Sequence, residues 1–88
     1  MIKTVLTIQN RLGLHTRAAA KLVNIAKKFE SQIELVYHDR SVDAKSIMGV
    51  ITLGTQKDHI LEIVLTGKDE EEAMMAITDL INNKFGEE

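Results

Sequence analysis

Thr4-Val5-Leu6-Thr7-Ile8-Gln9-Asn10-Arg11-Leu12-Gly13-Leu14-His15-Thr16-Arg17-Ala18-Ala19-Ala20-Lys21-Leu22-Val23 changes its hydrophobic period partway along. Thr4, Leu6 and Ile8 alternate with Lys3, Val5, Thr7 and Gln9, the two-residue repeat of a half-buried strand. Asn10 to Leu14 breaks that repeat, with Gly13 as the turn residue. Ala19, Leu22, Val23 and Ala26 then follow at helical spacing, which predicts an amphipathic helix from Thr16 to about Lys28. Lys27 and Lys28 in its last turn suit the negative end of the helix dipole, and Phe29 is expected to fold back on the core.

The pattern continues outward from there. Gln32–Tyr37 reads as a second strand, His38-Asp39 as a tight turn, and Ser41–Ala44 as a short third strand. Ser46 is placed to cap a helix over Ile47–Leu53, with Ile47, Val50 and Ile51 on one face and Gly49 weakening it. Residues 54–58 form a loop, and Ile60–Thr66 a fourth strand with Leu61, Ile63 and Leu65 on one side. Asp69 with Glu72 resembles a capping box. Ala73, Ile77, Leu80, Ile81 and Lys84 then mark a buried stripe that Gly86 ends. Met74 and Met75 read as packing residues. The order is βαββαβα, with one sheet face under helices and the other toward water.

Composition narrows the classes. The 88 residues make one small domain, residues 1–88, because two independent cores do not fit. Net charge is −2, which excludes a generic nucleic-acid coat. No cysteine is present, so neither disulfides nor a thiolate metal site hold the chain together. Phe29, Tyr37 and Phe85 are the only aromatic residues, so the core is aliphatic. No apolar run approaches the ~20 residues of a membrane span, and the first eight residues are too interrupted for a signal peptide. A cytoplasmic protein is expected. Charge is unevenly spread: residues 1–30 hold six basic residues against Glu30 alone, whereas residues 61–88 hold eight acids against two lysines. The basic third suggests a face for an acidic or phosphorylated partner.

Of the three histidines, His38 and His59 sit in or beside loops and read as ordinary surface residues. No pair has metal-ligand spacing, so no metal is expected. His15 stands apart because it immediately precedes a predicted helix, where unpaired N–H groups and the dipole favour an anion such as phosphate. Arg17 adds a cationic fork for phosphoryl oxygens. Nucleophile, oxyanion donors and cation together suit a phosphoryl acceptor; an N-capping histidine beside an unrelated arginine is the simpler alternative.

Gly13-Leu14-His15-Thr16-Arg17-Ala18-Ala19 resembles the active-site signature of HPr, the histidine-containing phosphocarrier family of the bacterial sugar phosphotransferase system. Lys45-Ser46-Ile47-Met48-Gly49-Val50 resembles that family's regulatory serine segment, and the likeness covers essentially the whole chain. It implies an α+β, open-faced β-sandwich: a four-stranded antiparallel sheet with three helices on one face. It further implies that His15 accepts a phosphoryl group on Nδ1 from phosphorylated Enzyme I, charged by phosphoenolpyruvate, and gives it to an enzyme IIA. The protein would thus be a carrier, not a conventional enzyme, with Arg17 steadying the phosphoryl group and no cofactor. Ser46 would be phosphorylated by HPr kinase/phosphorylase, and a transcriptional regulator is a further implied partner. Ile47 and Met48, rimmed by Thr16, Ala20, Lys21 and Lys27, would form the docking surface of a monomer.

The family usually has proline after the arginine; Ala18 stands there, and the chain has no proline. Sugar transport and a regulatory role, as in the nitrogen-related branch, both fit the two motifs. A small RNA-binding sheet domain is a third class, poorly supported by the single sheet aromatic Tyr37. Neither nucleic-acid binding nor membrane insertion is expected.

Overall fold

The computed structural model describes residues 1–87. Its order is β1 (Ile2–Thr7), α1 (Thr16–Ala26), β2 (Gln32–Tyr37), β3 (Arg40–Asp43), α2 (Ile47–Leu53), β4 (Ile60–Thr66) and α3 (Glu70–Asn82), closed by a 3-10 turn at Lys84–Gly86. The strands form one antiparallel sheet in the order β1-β4-β2-β3. β4, the last strand in sequence, lies between β1 and β2, so α1 crosses over one intervening strand.

Register puts the alternating apolar residues in rows across the sheet. Ile2, Leu65 and Ile33 stand in one row; Thr4, Ile63 and Leu35 stand in the next. Ile33, Leu35, Leu61, Ile63 and Leu65 are buried beneath α1, α2 and α3. Each such side chain contributes about 1.5–3 kcal/mol relative to exposure. On the opposite face Val5 and Ile60 are exposed, so the sheet is open on that side.

Three sequence expectations need correction at the helix ends. α1 stops at Ala26, two residues early, because Lys28 and Phe29 N–H turn to the i−3 carbonyls of Ile25 and Ala26. Phe29 does pack back against the core. Asp69 makes no cap bond to α3; its carboxylate faces Glu30 and Ser31 instead. The reach-back bond of that helix start comes from Glu70, which accepts from Gly67 N–H at 3.0 Å, and not from Glu72. Lys84 is not part of the buried stripe. α3 ends at Asn82, and Lys84 and Phe85 both take φ of +56°, which turns Lys84 outward and Phe85 into the core.

Smaller shifts have equally local causes. β3 begins at Arg40, one residue before the expected start, because His38 takes a left-handed φ of +57° and closes the turn early. In α2 the buried pair is Val50 and Leu53, while Ile51 is half-buried and Ile47 is exposed. Met74 packs on the core, but Met75 faces outward.

Candidate functional site

The segment between β1 and α1 is held against the loop preceding β4. Ile8 N–H donates to His59 carbonyl, Asp58 N–H to Ile8 carbonyl, and Leu14 N–H to Thr55 carbonyl, at 2.8–3.1 Å. Gly13 has φ of +66°, and a Cβ there would lie 2.7 Å from both Gln56 Cα and Thr55 O. Only glycine permits that approach. Asn10, fully buried, donates its Nδ2 to Gly13 carbonyl at 2.7 Å and fixes the turn from inside. His59 Nδ1 accepts from Gln56 N–H at 2.9 Å, and its ring stacks on Tyr37. His59 is therefore a loop-holding residue rather than a loose surface group.

This frame delivers His15 to the N-cap of α1 with extended backbone, φ −75° and ψ −179°. Its ring does not cap the helix. Nε2 lies 2.7 Å from Glu87 Oε2, and the other carboxylate oxygen accepts from Asn10 Nδ2 at 3.1 Å. Burial pushes the Glu87 carboxyl up, but the hydrogen bonds from Asn10 and His15 and the nearby charges of His15 and Arg17 outweigh it. The net direction is below the usual glutamate range. An ionised carboxylate only accepts, so His15 Nε2 carries the hydrogen of that bond, and in the neutral form of the ring the lone pair is on Nδ1. Among the described residues, none hydrogen-bonds Nδ1.

Ala19 N–H closes the first helical bond, to His15 carbonyl at 2.8 Å. No described residue accepts from the N–H groups of Thr16, Arg17 or Ala18, so three donors stand unpaired at the start of α1, directly after His15 in the chain. Proline at position 18 would remove one of them. Arg17 is exposed and borders a groove shared with Arg11, Lys21, Lys57 and Lys84, which come from four separate segments. Lys21 Nζ also donates to Phe85 carbonyl at 2.6 Å, tying α1 to the C-terminal turn.

Ser46 caps α2: its Oγ accepts from Gly49 N–H at 3.1 Å. α2 packs on α1, and on its outer side Ile47 is 39% and Met48 66% exposed. Thr16 and Lys27 are exposed on α1, and Ala20 is half-buried. The described residues contain no group of three side chains able to hold a metal ion.

Sequence reasoning singled out His15, Arg17 and Ser46; it did not single out Glu87 or Asn10, which the structure brings together at the His15 ring. Asn10 carried a weak signal, a polar residue beginning a glycine turn. Glu87 carried none, since it lies 72 residues from the histidine it touches.

The comparisons with known proteins agree with the fold. A family model described as the PTS HPr component phosphorylation site matches residues 2–83. A phosphocarrier protein HPr of Neisseria meningitidis serogroup B is 45% identical over 87 residues, spanning 99% of this chain and 98% of that protein. The crystal structure of HPr-C-His from Thermoanaerobacter tengcongensis superposes with a TM-score of 0.97 at 45% identity, covering 100% of this chain and 99% of the other. An HPr dimer from the same organism gives 0.80 at 45% identity, covering 99% and 100%. Both signature segments fall inside the matched span, and the chain belongs to the HPr family of phosphocarrier proteins of the phosphotransferase system.

Proposed function

We propose that this HPr-family chain carries a phosphoryl group on His15 Nδ1, taking it from phosphorylated Enzyme I and passing it to an enzyme IIA. The observation that carries the reading is the division of labour on one ring: Nε2 is engaged by Glu87, while Nδ1 has no partner among the described residues, and the ring belongs to the N-cap of a helix whose first three N–H groups have no acceptor there. In transfer the Nδ1 lone pair attacks phosphorus and the donor's bond to phosphorus breaks. There is little else for the protein to do than position the group and balance its charge. The helix N–H groups and Arg17 supply that balance. A half-exposed ring serves transfer in both directions.

Ser46 is proposed as a regulatory phosphorylation site for an HPr kinase/phosphorylase. A phosphate at this helix start is tolerated by the fold, since the N–H groups of α2 favour negative charge. It would place nearly two negative charges on the face shared with Ile47 and Met48, which we propose docks both partners with Thr16, Ala20, Lys21 and Lys27. We propose a cytoplasmic carrier that serves sugar uptake, as the family likeness implies, with a transcriptional regulator as a further partner of the Ser46-phosphorylated form. We propose a monomer; the dimer seen for the T. tengcongensis relative makes the oligomeric state a measurement worth pairing with the assay.

The test is intact mass after incubation with phosphoenolpyruvate, magnesium and Enzyme I. One acid-labile phosphoryl group is expected, absent in His15→Ala, slowed in Arg17→Gln, and slowed in Ser46→Asp through weaker Enzyme I binding. A wild-type protein that stays unmodified beside a competent Enzyme I, or a His15→Ala variant that still gains the group, overturns the reading.

A further inference from the structure

We infer that Glu87 is a positioning residue for His15, a fixed carboxylate that keeps the Nε2 hydrogen on the ring through both phosphoryl transfers. The inference rests on the proposed role of His15 and goes beyond it by assigning a function to the C-terminal arm.

Three observations converge on it. Glu87 uses both oxygens, Oε2 toward His15 Nε2 at 2.7 Å and Oε1 toward Asn10 Nδ2 at 3.1 Å. Its side chain is only 14% exposed, although glutamates ordinarily point into water. Asn10 is fully buried, and its amide is oriented by two acceptors at once, Gly13 carbonyl and the Glu87 carboxylate. Flipping that amide would set oxygen against oxygen at both contacts, so the donor side is fixed. A buried amide holding a carboxylate, which in turn holds one nitrogen of an imidazole, is an arrangement that sets which ring nitrogen bears the proton and how the ring is turned.

The chemistry follows from that placement. As Nδ1 donates its pair to phosphorus and the donor's bond to phosphorus breaks, the ring acquires positive charge while Nε2 keeps its hydrogen. The Glu87 carboxylate lies against that charge. On onward transfer the Nδ1–phosphorus bond breaks, the pair returns to Nδ1, and the ring is again neutral with hydrogen on Nε2. No proton has to enter or leave in either direction. Without Glu87, the phosphorylated ring would release the Nε2 proton more readily, and an unprotonated ring is a poorer leaving group.

The other charged groups of the groove that Glu87 lines are all basic: Arg17 and Lys21 from α1, Arg11 from the β1–α1 loop, Lys57 from the loop before β4, and Lys84 from the C-terminal turn. Glu87 is the one carboxylate of that lining.

The experiment compares wild type, Glu87→Gln and Glu87→Ala after loading with Enzyme I and phosphoenolpyruvate. The pH of half-maximal phosphohistidine hydrolysis is expected to fall by about one unit in both variants, as expected for loss of an adjacent opposite charge. Onward transfer to an enzyme IIA at pH 7.5 should slow by about tenfold in kcat at unchanged KM. Glutamine keeps the shape and loses the charge, so a packing role predicts a wild-type profile for Glu87→Gln. That result, or an unshifted profile in both variants, overturns the inference. Independently of any transfer, the His15 Nε2–H should give a downfield proton resonance in unphosphorylated wild type that is lost in Glu87→Ala. If wild type cannot be loaded at all, the carrier reading fails, and this resonance alone decides whether Glu87 holds the ring proton.

Discussion

Asp69 shows how one carboxylate can carry a role that its local sequence disguises. It precedes a run of glutamates and apolar residues and so looks like a helix cap. Its oxygens accept instead from Ser31 Oγ, from Ser31 N–H at 3.0 Å and from Glu30 N–H at 2.9 Å, pinning the entry to β2 against the start of α3. The Ser31 hydroxyl, followed by Glu30 N–H, holds the Asp69 carboxyl below the usual aspartate range. A lowered folded value means that the stabilisation is fully present above the unfolded value near 3.8 and disappears as pH falls through the folded one. Wild type is therefore expected to lose stability on acidification across that window. Asp69→Asn should be less stable at pH 7 yet lose less on acidification, so that the two converge at low pH. Urea midpoints measured from neutral pH downward check this; parallel curves would remove Asp69 from the account. The partner residues lie 38 and 39 positions upstream, a separation at which no local pattern gives warning.

At the scale of elements, the change from a two-residue to a helical period made β1 and α1 legible, and Gly13 between them was read as a turn. What the period did not convey is the reason for glycine. Gly13 and Gly54 have similar positive φ values, +66° and +71°, in different surroundings. A Cβ at Gly54, the C-cap of α2, would meet nothing closer than Thr52 O at 3.9 Å, whereas at Gly13 it would drive into the backbone of Thr55 and Gln56. Gly54→Ala should cost about 1–2 kcal/mol, the left-handed penalty alone. Gly13→Ala should cost a further 1–3 kcal/mol or so from the forced separation of two loops. It should also slow phosphoryl acceptance, because Leu14 and His15 move with the turn. Equal losses in urea unfolding would mean that backbone conformation, not close approach, explains Gly13. The strand order was less legible for a related reason: alternation tells which residues face inward, but not which distant strand fills the gap between β1 and β2.

Across the whole molecule, core and site meet in the C-terminal turn. Lys84, Phe85 and Gly86 are three successive residues at positive φ, +56°, +56° and +73°, a conformation costly for a bulky side chain. It persists because Phe85 is buried to 1% exposure, and because its carbonyl accepts from Lys21 Nζ. The same bend sets Glu87 against His15. His15 was singled out from its own neighbours, since a position at a helix start is a local feature. Its carboxylate partner depends on a bend that helical periodicity misread as one more turn of α3. If the bend is held by burial of Phe85, stability and site chemistry are linked through that residue. Phe85→Ala should cost about 3–5 kcal/mol and Phe85→Leu less, about 1–2 kcal/mol. Phe85→Leu then leaves a small domain of ordinary stability folded. It is expected to move the pH profile of phosphohistidine hydrolysis part of the way toward that of Glu87→Ala, although residue 87 is unchanged. Glu87→Gln should move that profile with little change in the urea midpoint. A Phe85→Leu protein with lowered stability but a wild-type profile would show that Asn10 alone holds Glu87 in place, and that the core does not reach the site through the arm.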